Sequence, residues 1–257
     1  MVMERKAIYT IHAMWLGEML RFWRAKSRMI GALATPLTYL VFLAPGLIAG
    51  FQLKGGGAID IGFFAPGFIG MSVLFAALFS GGAIIWEREF GILKGTLVAP
   101  VSRFFTVLGK ATGFVTITLI QGTMILIFAF IIGVHYVSVI GVLASLVVMF
   151  LAGIGFIGLG IALASRIQSH EGFQMIMGFL TMPLVLLSGA FFPIGNLPVW
   201  LQALVFANPL TYCVEGLRWL LLGRSTIPIS LAVPVITVFA VSMLAIAAGG
   251  FEKMKIL

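Results

Sequence analysis

Apolar residues fill this chain in long runs interrupted by short polar breaks, and the runs set its architecture. Six stretches of about bilayer length stand out, at 29–50, 61–86, 104–133, 137–164, 173–192 and 231–250. A helix needs roughly 20 apolar residues to cross ~30 Å of hydrocarbon, so each run predicts a transmembrane helix, the longer ones with tilt or interfacial turns. Ahead of the first run, Ile8, Ile11, Trp15, Met19 and Phe22 recur at helical spacing on one side, with Lys6, Arg21, Arg24 and Arg28 mostly opposite. That pattern predicts an interfacial amphipathic helix over 1–28, either an anchor that sets topology or a lever that also touches a partner. Before the last run, 193–230 stays apolar yet is punctuated by Pro193, Pro198, Pro209 and Pro228. Two short helical pieces fit, about 198–207 and 210–223, divided at Asn208-Pro209. Neither is long enough to span, which predicts a re-entrant or interfacial hairpin over 193–223, buried where its backbone groups find partners. The expected fold class is all-α: a polytopic membrane protein, with a surface helix ahead of a six-helix transmembrane domain at 29–257.

Composition closes the other options. Hydrophobic residues make up 61% of the chain and charged residues 9%, at a mean hydropathy of +1.17. No soluble core of this size hides so much apolar surface, and unbroken runs select helices over a barrel. The net charge of +8 would suit nucleic acid, but its placement speaks for topology instead. Thirteen of the sixteen lysines and arginines fall on one side of the expected membrane, in the first 28 residues, after the second and fourth runs and at the C-terminus; only Lys54, Arg218 and Arg224 fall on the other. Both termini are therefore expected in the cytoplasm. Cys213 is alone and forms no intramolecular disulfide.

Between the second and third runs lies an island of both signs, Glu87-Arg88-Glu89-Phe90-Gly91, continuing through Lys94 and Arg103 to Lys110. A short connection needs few charges, so their concentration at 87–103 predicts a surface gripped by a partner. Deep in the runs there is no Asp, Glu, Lys or Arg of the kind ion-coupled carriers use. What remains is mild polarity, chiefly Thr116, Gln121 and Gln174, placed to bond across helices or to line a translocation path. His12, His135 and His170 stand outside the runs or at their ends and read as interfacial residues, not ligands. Four-spaced small residues, Gly158 with Ala162, Gly160 with Ala164 and Ala77 with Gly81, predict close helix approach within or between protomers. No GxxxxGK[ST] loop occurs, and no nucleophile–base pair, paired carboxylate or metal cluster is legible, so neither nucleotide hydrolysis nor other catalysis is expected of this chain. In the hairpin, Pro193, Pro198, Asn208, Pro209 and Tyr212 shape a passive cap or an outer gate. Glu215 and Arg218, three apart, are placed to pair, weakly if exposed.

Taken in order, Pro66-Gly67-Phe68-Ile69-Gly70, Glu87-Arg88-Glu89-Phe90-Gly91, Pro100-Val101-Ser102-Arg103 and Gly109-Lys110 resemble the type 2 ABC exporter permeases, in the daunorubicin-resistance and nodulation-factor branch. Leu187-Ser188-Gly189-Ala190-Phe191-Phe192-Pro193, Leu197-Pro198, Asn208-Pro209-Leu210-Thr211-Tyr212 and Leu217-Arg218 extend the likeness over nearly the whole chain. The resemblance implies half of a dimeric pore in the plasma membrane, bound to two copies of a separate ATPase that holds ATP and magnesium. It implies that Glu87, Arg88, Glu89, Phe90, Gly91 and Lys94 form the coupling helix, and that the hairpin lies at the outer leaflet. Ile92 and Lys94 depart from the family, where a Thr and an acid are common. The implied activity is outward export of an amphipathic small molecule, lipid or glycoconjugate. A non-transporting scaffold, or an ion-coupled carrier, is the competing expectation.

Overall fold

The computed structural model describes residues 2–53, 60–89, 103–167 and 169–252, and every regular element among them is helical. The N-terminal helix α1 (Val2–Arg24) is followed, after Ala25, by α2 (Lys26–Thr38), a π-helical turn (Tyr39–Leu43) and α3 (Ala44–Leu53), the last three continuous with one another. The π-helical turn has a local cause. Pro45 has no N–H to offer Val41, and its ring would crowd that carbonyl. The chain widens just before it, with the Ala44 N–H reaching back to the Tyr39 carbonyl.

Helix α4 (Ile61–Leu78) starts at Asp60, whose side chain accepts from the Phe63 N–H at 3.1 Å, and continues through a single turn residue, Phe79, into α5 (Ser80–Glu89). This rod is the axis of the bundle: 78% of its apolar window is buried, against 17% for the windows in α2–α3 and in the last helix. Packed on it are α6 (Arg103–Ile131), α7 (Val139–Arg166) and α8 (His170–Leu186), while α11 (Ile229–Glu252) packs on α7. A short 3₁₀ turn (Ile194–Asn196), α9 (Val199–Ala207) and α10 (Pro209–Leu222) lie between α8 and α11.

Glycine lets the rods approach. A methyl on Gly158 would come within 2.7 Å of the Met243 backbone in α11, while Gly160 meets the Leu78–Gly81 turn and Gly81 meets Gly160. The small-residue stripes of α7 are thus spent inside the protomer, on α11 and on the axis.

Among the described residues, five segments, Leu33–Gly50, Ile61–Glu87, Leu108–Ile131, Val139–Arg166 and Ile229–Gly250, are long and apolar enough to cross a membrane. The stretch expected at 173–192 differs. Its helix α8 has 17 residues and ends in turns at 187–193, where Gly189 takes a φ of +70°. Its course is still a full pass beside the axis. At its start Trp86 Nε1 donates to His170 Nε2 at 3.0 Å, and at its end Ala190 lies against Gly67, where a methyl would come within 2.6 Å of Ala190 Cβ. Helix α1 and the end of α11 consequently stand at the same end of the bundle, together with Glu87. Asp60, Arg218 and Arg224 stand at the other.

Candidate functional site

At the Glu87 end, the described part of the charged island turns inward. Glu87 is 4% exposed, Lys110 2% and Glu18 4%. Arg21 Nη1 donates to Glu87 Oε1 at 2.5 Å and its Nη2 donates to Glu18 Oε1 at 2.7 Å. Lys110 Nζ donates to Glu87 Oε2 and lies 3.7 Å from Glu18 Oε1. Two carboxylates and two cations from α1, α5 and α6 thereby form a neutral knot, the form in which charge withstands burial. Burial opposes the charge of Arg21, but its hydrogen bond to Glu87 and the fields of Glu18 and Glu87 prevail and raise its pKa.

The knot exists because α1 lies directly on α6. Gly109 and Gly113 leave the surface of α6 bare there; a methyl at either would come within 2.7 Å of Met14 Cβ or Glu18 Cβ. One turn further on, Trp15 Nε1 donates to Thr116 Oγ1 at 3.0 Å. The apolar side expected for α1 is divided as a result. Ile11, Trp15, Met19 and Phe22 turn to the protein, Ile8 is exposed, and a second apolar stripe of Tyr9, Leu16, Leu20 and Trp23 faces outward.

The candidate path residues do not converge. Thr116 is occupied beneath Trp15, and its hydroxyl also donates to the Thr112 carbonyl. Gln121 is buried and lines a cavity of about 420 Å³ between α1, α2, α4, α5 and α6. Gln174 is exposed on α8, 3.3 Å from His170. Phe90, Gly91 and Lys94 lie outside the described residues, and Arg88 and Glu89 are described by their backbone alone, within α5. Glu18 is the knot residue that sequence reasoning missed, and Lys110, read there as the end of the charged island, joins the knot from within α6. The signal was there in part: Glu18 precedes Arg21 by three on a basic helix, and Lys110 falls inside an apolar run.

At the other end, the hairpin residues do come together. Pro198 opens α9 with its carbonyl accepting from Leu201 and Gln202. Asn208 caps α10, its Oδ1 accepting from the Leu210 N–H at 3.0 Å, while its Nδ2 donates to the Leu184 carbonyl at 2.7 Å. Pro209 takes the first helical position, where no N–H is needed. Tyr212 donates to the Phe206 carbonyl and Thr211 to the Val205 carbonyl, folding α10 back on α9. Pro193 leads into the 3₁₀ turn.

Glu215 and Arg218, expected to pair, and only weakly if exposed, are 0% and 4% exposed. They are paired with each other. Arg218 Nη2 donates to the carbonyls of Phe63 at 3.2 Å and Gly189 at 3.0 Å, and the guanidinium stacks 4.2 Å over the Phe63 ring. Glu215 Oε2 accepts from the Thr226 N–H at 2.5 Å and the Ile227 N–H at 3.3 Å. One ion pair therefore ties α4, the turn after α8, α10 and the loop before α11.

Residues 9–222 match the ABC-2 type transporter family model. The chain belongs to the ABC-2 type transporter family. Among similar proteins, a chain named transport permease ycf38 from Cyanophora paradoxa is 30% identical over 75% of this chain and 67% of its own length. Nodulation protein J of Rhizobium leguminosarum bv. viciae is 28% identical over 89% of this chain and 88% of its own. YbhR of Escherichia coli (strain K12), named a multidrug ABC transporter permease, is 27% identical over 65% and 45%. Membership in this ABC-2 family, with the apolar helices, makes the protein a multi-pass transmembrane ABC transporter permease. Membership in the family also implies a partnering ATP-binding subunit. The resemblance drawn from the sequence motifs is borne out.

Proposed function

We propose that this permease exports an amphipathic small molecule, lipid or glycoconjugate outward across the plasma membrane, working as a homodimer on two copies of a separate ATPase. ATP and magnesium belong to that partner, since this sequence has no phosphate-binding loop. The Glu87 end faces the cytoplasm with both termini, in keeping with the lysine and arginine bias. The segment 87–103 couples the two subunits. The hairpin of α9 and α10 forms the outer gate, with Pro193, Pro198, Asn208, Pro209, Tyr212, Glu215 and Arg218 shaping it.

The observation that carries this proposal is the knot at the root of the segment. Glu87 does not offer itself to a partner; it holds Arg21 of α1 and Lys110 of α6. A push on 87–103 is thereby shared by α1, α5 and α6 at once. Differential contact with the two states of the ATPase is what turns such a linkage into work.

The test is reconstitution with the partner ATPase, identified by co-purification. Charge reversal at Glu87 and Glu89 together is expected to lower substrate-stimulated ATP hydrolysis at least ten-fold, a loss of about 1.4 kcal/mol of coupling. Normal stimulated transport by that double variant refutes coupling through this segment. Failure of any P-loop ATPase to co-purify points to the scaffold alternative.

A further inference from the structure

We propose that the crevice beneath α1 is a binding site for an uncharged amphiphile. Its apolar body lies against Phe75, Phe79 and Phe114, and its hydrogen-bonding group meets Gln121. The crevice is built from facing sides of several helices: Phe75 and Phe79 are one turn apart on α4 and its end, and Phe114 and Gln121 share a side of α6. Thr35 of α2 and Phe22 of α1 close it. Its volume of about 420 Å³ lies within the ~300–1,000 Å³ of small-molecule sites.

Gln121 makes this more than a packing gap. It is 5% exposed, and among the described residues its carboxamide has no hydrogen-bond partner. The amide is not sealed in; it meets the cavity space, and an apolar site with one polar group free to bond fits a ligand that supplies a partner. A neutral ligand suits the knot. Among the described lining residues Glu18 and Arg21 carry charge, but they are already paired with each other and balanced by Lys110 and Glu87, so neither is left to meet an ion. The ligand is therefore an alcohol, ester or amide on an apolar body, drawn from the bilayer or from the exported cargo. Because α1 contributes Glu18, Arg21 and Phe22 to the lining, occupancy bears on how α1 sits over α6.

The probe is a diazirine-bearing long-chain fatty alcohol, applied to the full-length protein in phospholipid nanodiscs, with labelled residues located by mass spectrometry. Label is expected on the α4 and α6 residues of the crevice. It should be competed by the untagged alcohol and not by the matching fatty amine or fatty acid. Ala83→Phe, which projects a ring into the cavity, should cut crevice labelling about ten-fold. Gln121→Leu keeps the volume and removes the amide, and should cut it about five-fold. Unchanged labelling in monodisperse Gln121→Leu protein, or label spread equally onto Phe179 on the outer side of α8, overturns the proposal. A neutral lipid that copurifies with the wild type and is lost from Ala83→Phe names the bilayer as the source. Specific labelling with no such lipid names the cargo. The assay needs neither ATP nor a partner, so its failure leaves the export proposal untouched.

Discussion

The two ends of the bundle both bury ion pairs, but they do so differently. At the Glu87 end, four side chains from three helices hold one another, and Arg21 keeps half of its side chain in the open. At the Asp60 end, Arg218 and Glu215 hold each other and also main-chain groups at Phe63, Gly189, Thr226 and Ile227. Side-chain pairs between separate helices can exchange partners while each helix stays intact. Carbonyls and N–H groups at chain breaks cannot be released without opening the breaks themselves. The first arrangement suits a joint and the second a fixed cap, although both rest on the same chemistry.

The largest effect tests the cap. Arg218→Met strands a fully buried carboxylate and two carbonyls, and should destabilise the protein by about 3–5 kcal/mol. Thermal unfolding in detergent, followed by tryptophan fluorescence, reads this out, and protease protection of residues 1–28 should not change below the transition. If that protection falls in step, the two ends are one cooperative unit and the comparison fails.

Lys110→Met should cost less, about 2–3 kcal/mol, because Arg21 remains beside both carboxylates. Its distinguishing sign is local. Cleavage within residues 1–28 should accelerate several-fold while the hairpin of α9 and α10 stays protected, and Lys110→Arg should restore most of the protection. Equal exposure of both regions would show that the knot is merely part of the core.

The smallest effect sharpens the contrast between buried and exposed pairs at one end. Arg224 and Asp60 lie 2.9 Å apart, but both side chains are more than half exposed. Arg224→Ala should change stability by no more than ~1 kcal/mol, less still at high salt. A loss approaching that of Arg218→Met would place Arg224 inside the cap.

Much of the fold was legible because lipid leaves the backbone few choices. Runs of apolar residues had to become helices, and the breaks at Asn208-Pro209 and Gly223 fell where proline and a left-handed glycine end helices. The fifth run was overread: apolarity continues to Phe192, but the helix stops at Leu186, because the turn at Gly189 supplies a carbonyl to Arg218. The charged residues were the least legible. Glu215 and Arg218 have the spacing of an ordinary surface pair, and nothing in the sequence shows that Phe63 and Gly189 close over them. Glu87 read as surface because it stands in a charged run, whereas Arg21 of α1 and Lys110 of α6 draw it inward.

What the chain alone determined is what depends on local order: helices wherever apolar runs are long, a bias of positive charge to one side, and motif order sufficient to place the family. What only the tertiary structure decided is which distant groups meet. The laying of α1 on Gly109 and Gly113, the balance of charges around Glu87, and the amide of Gln121 facing a cavity arise from contacts between residues on different helices. The physical reason is that hydrophobicity acts through composition along the chain. Charge and hydrogen bonding at depth act through partners, and those are fixed only when the helices pack.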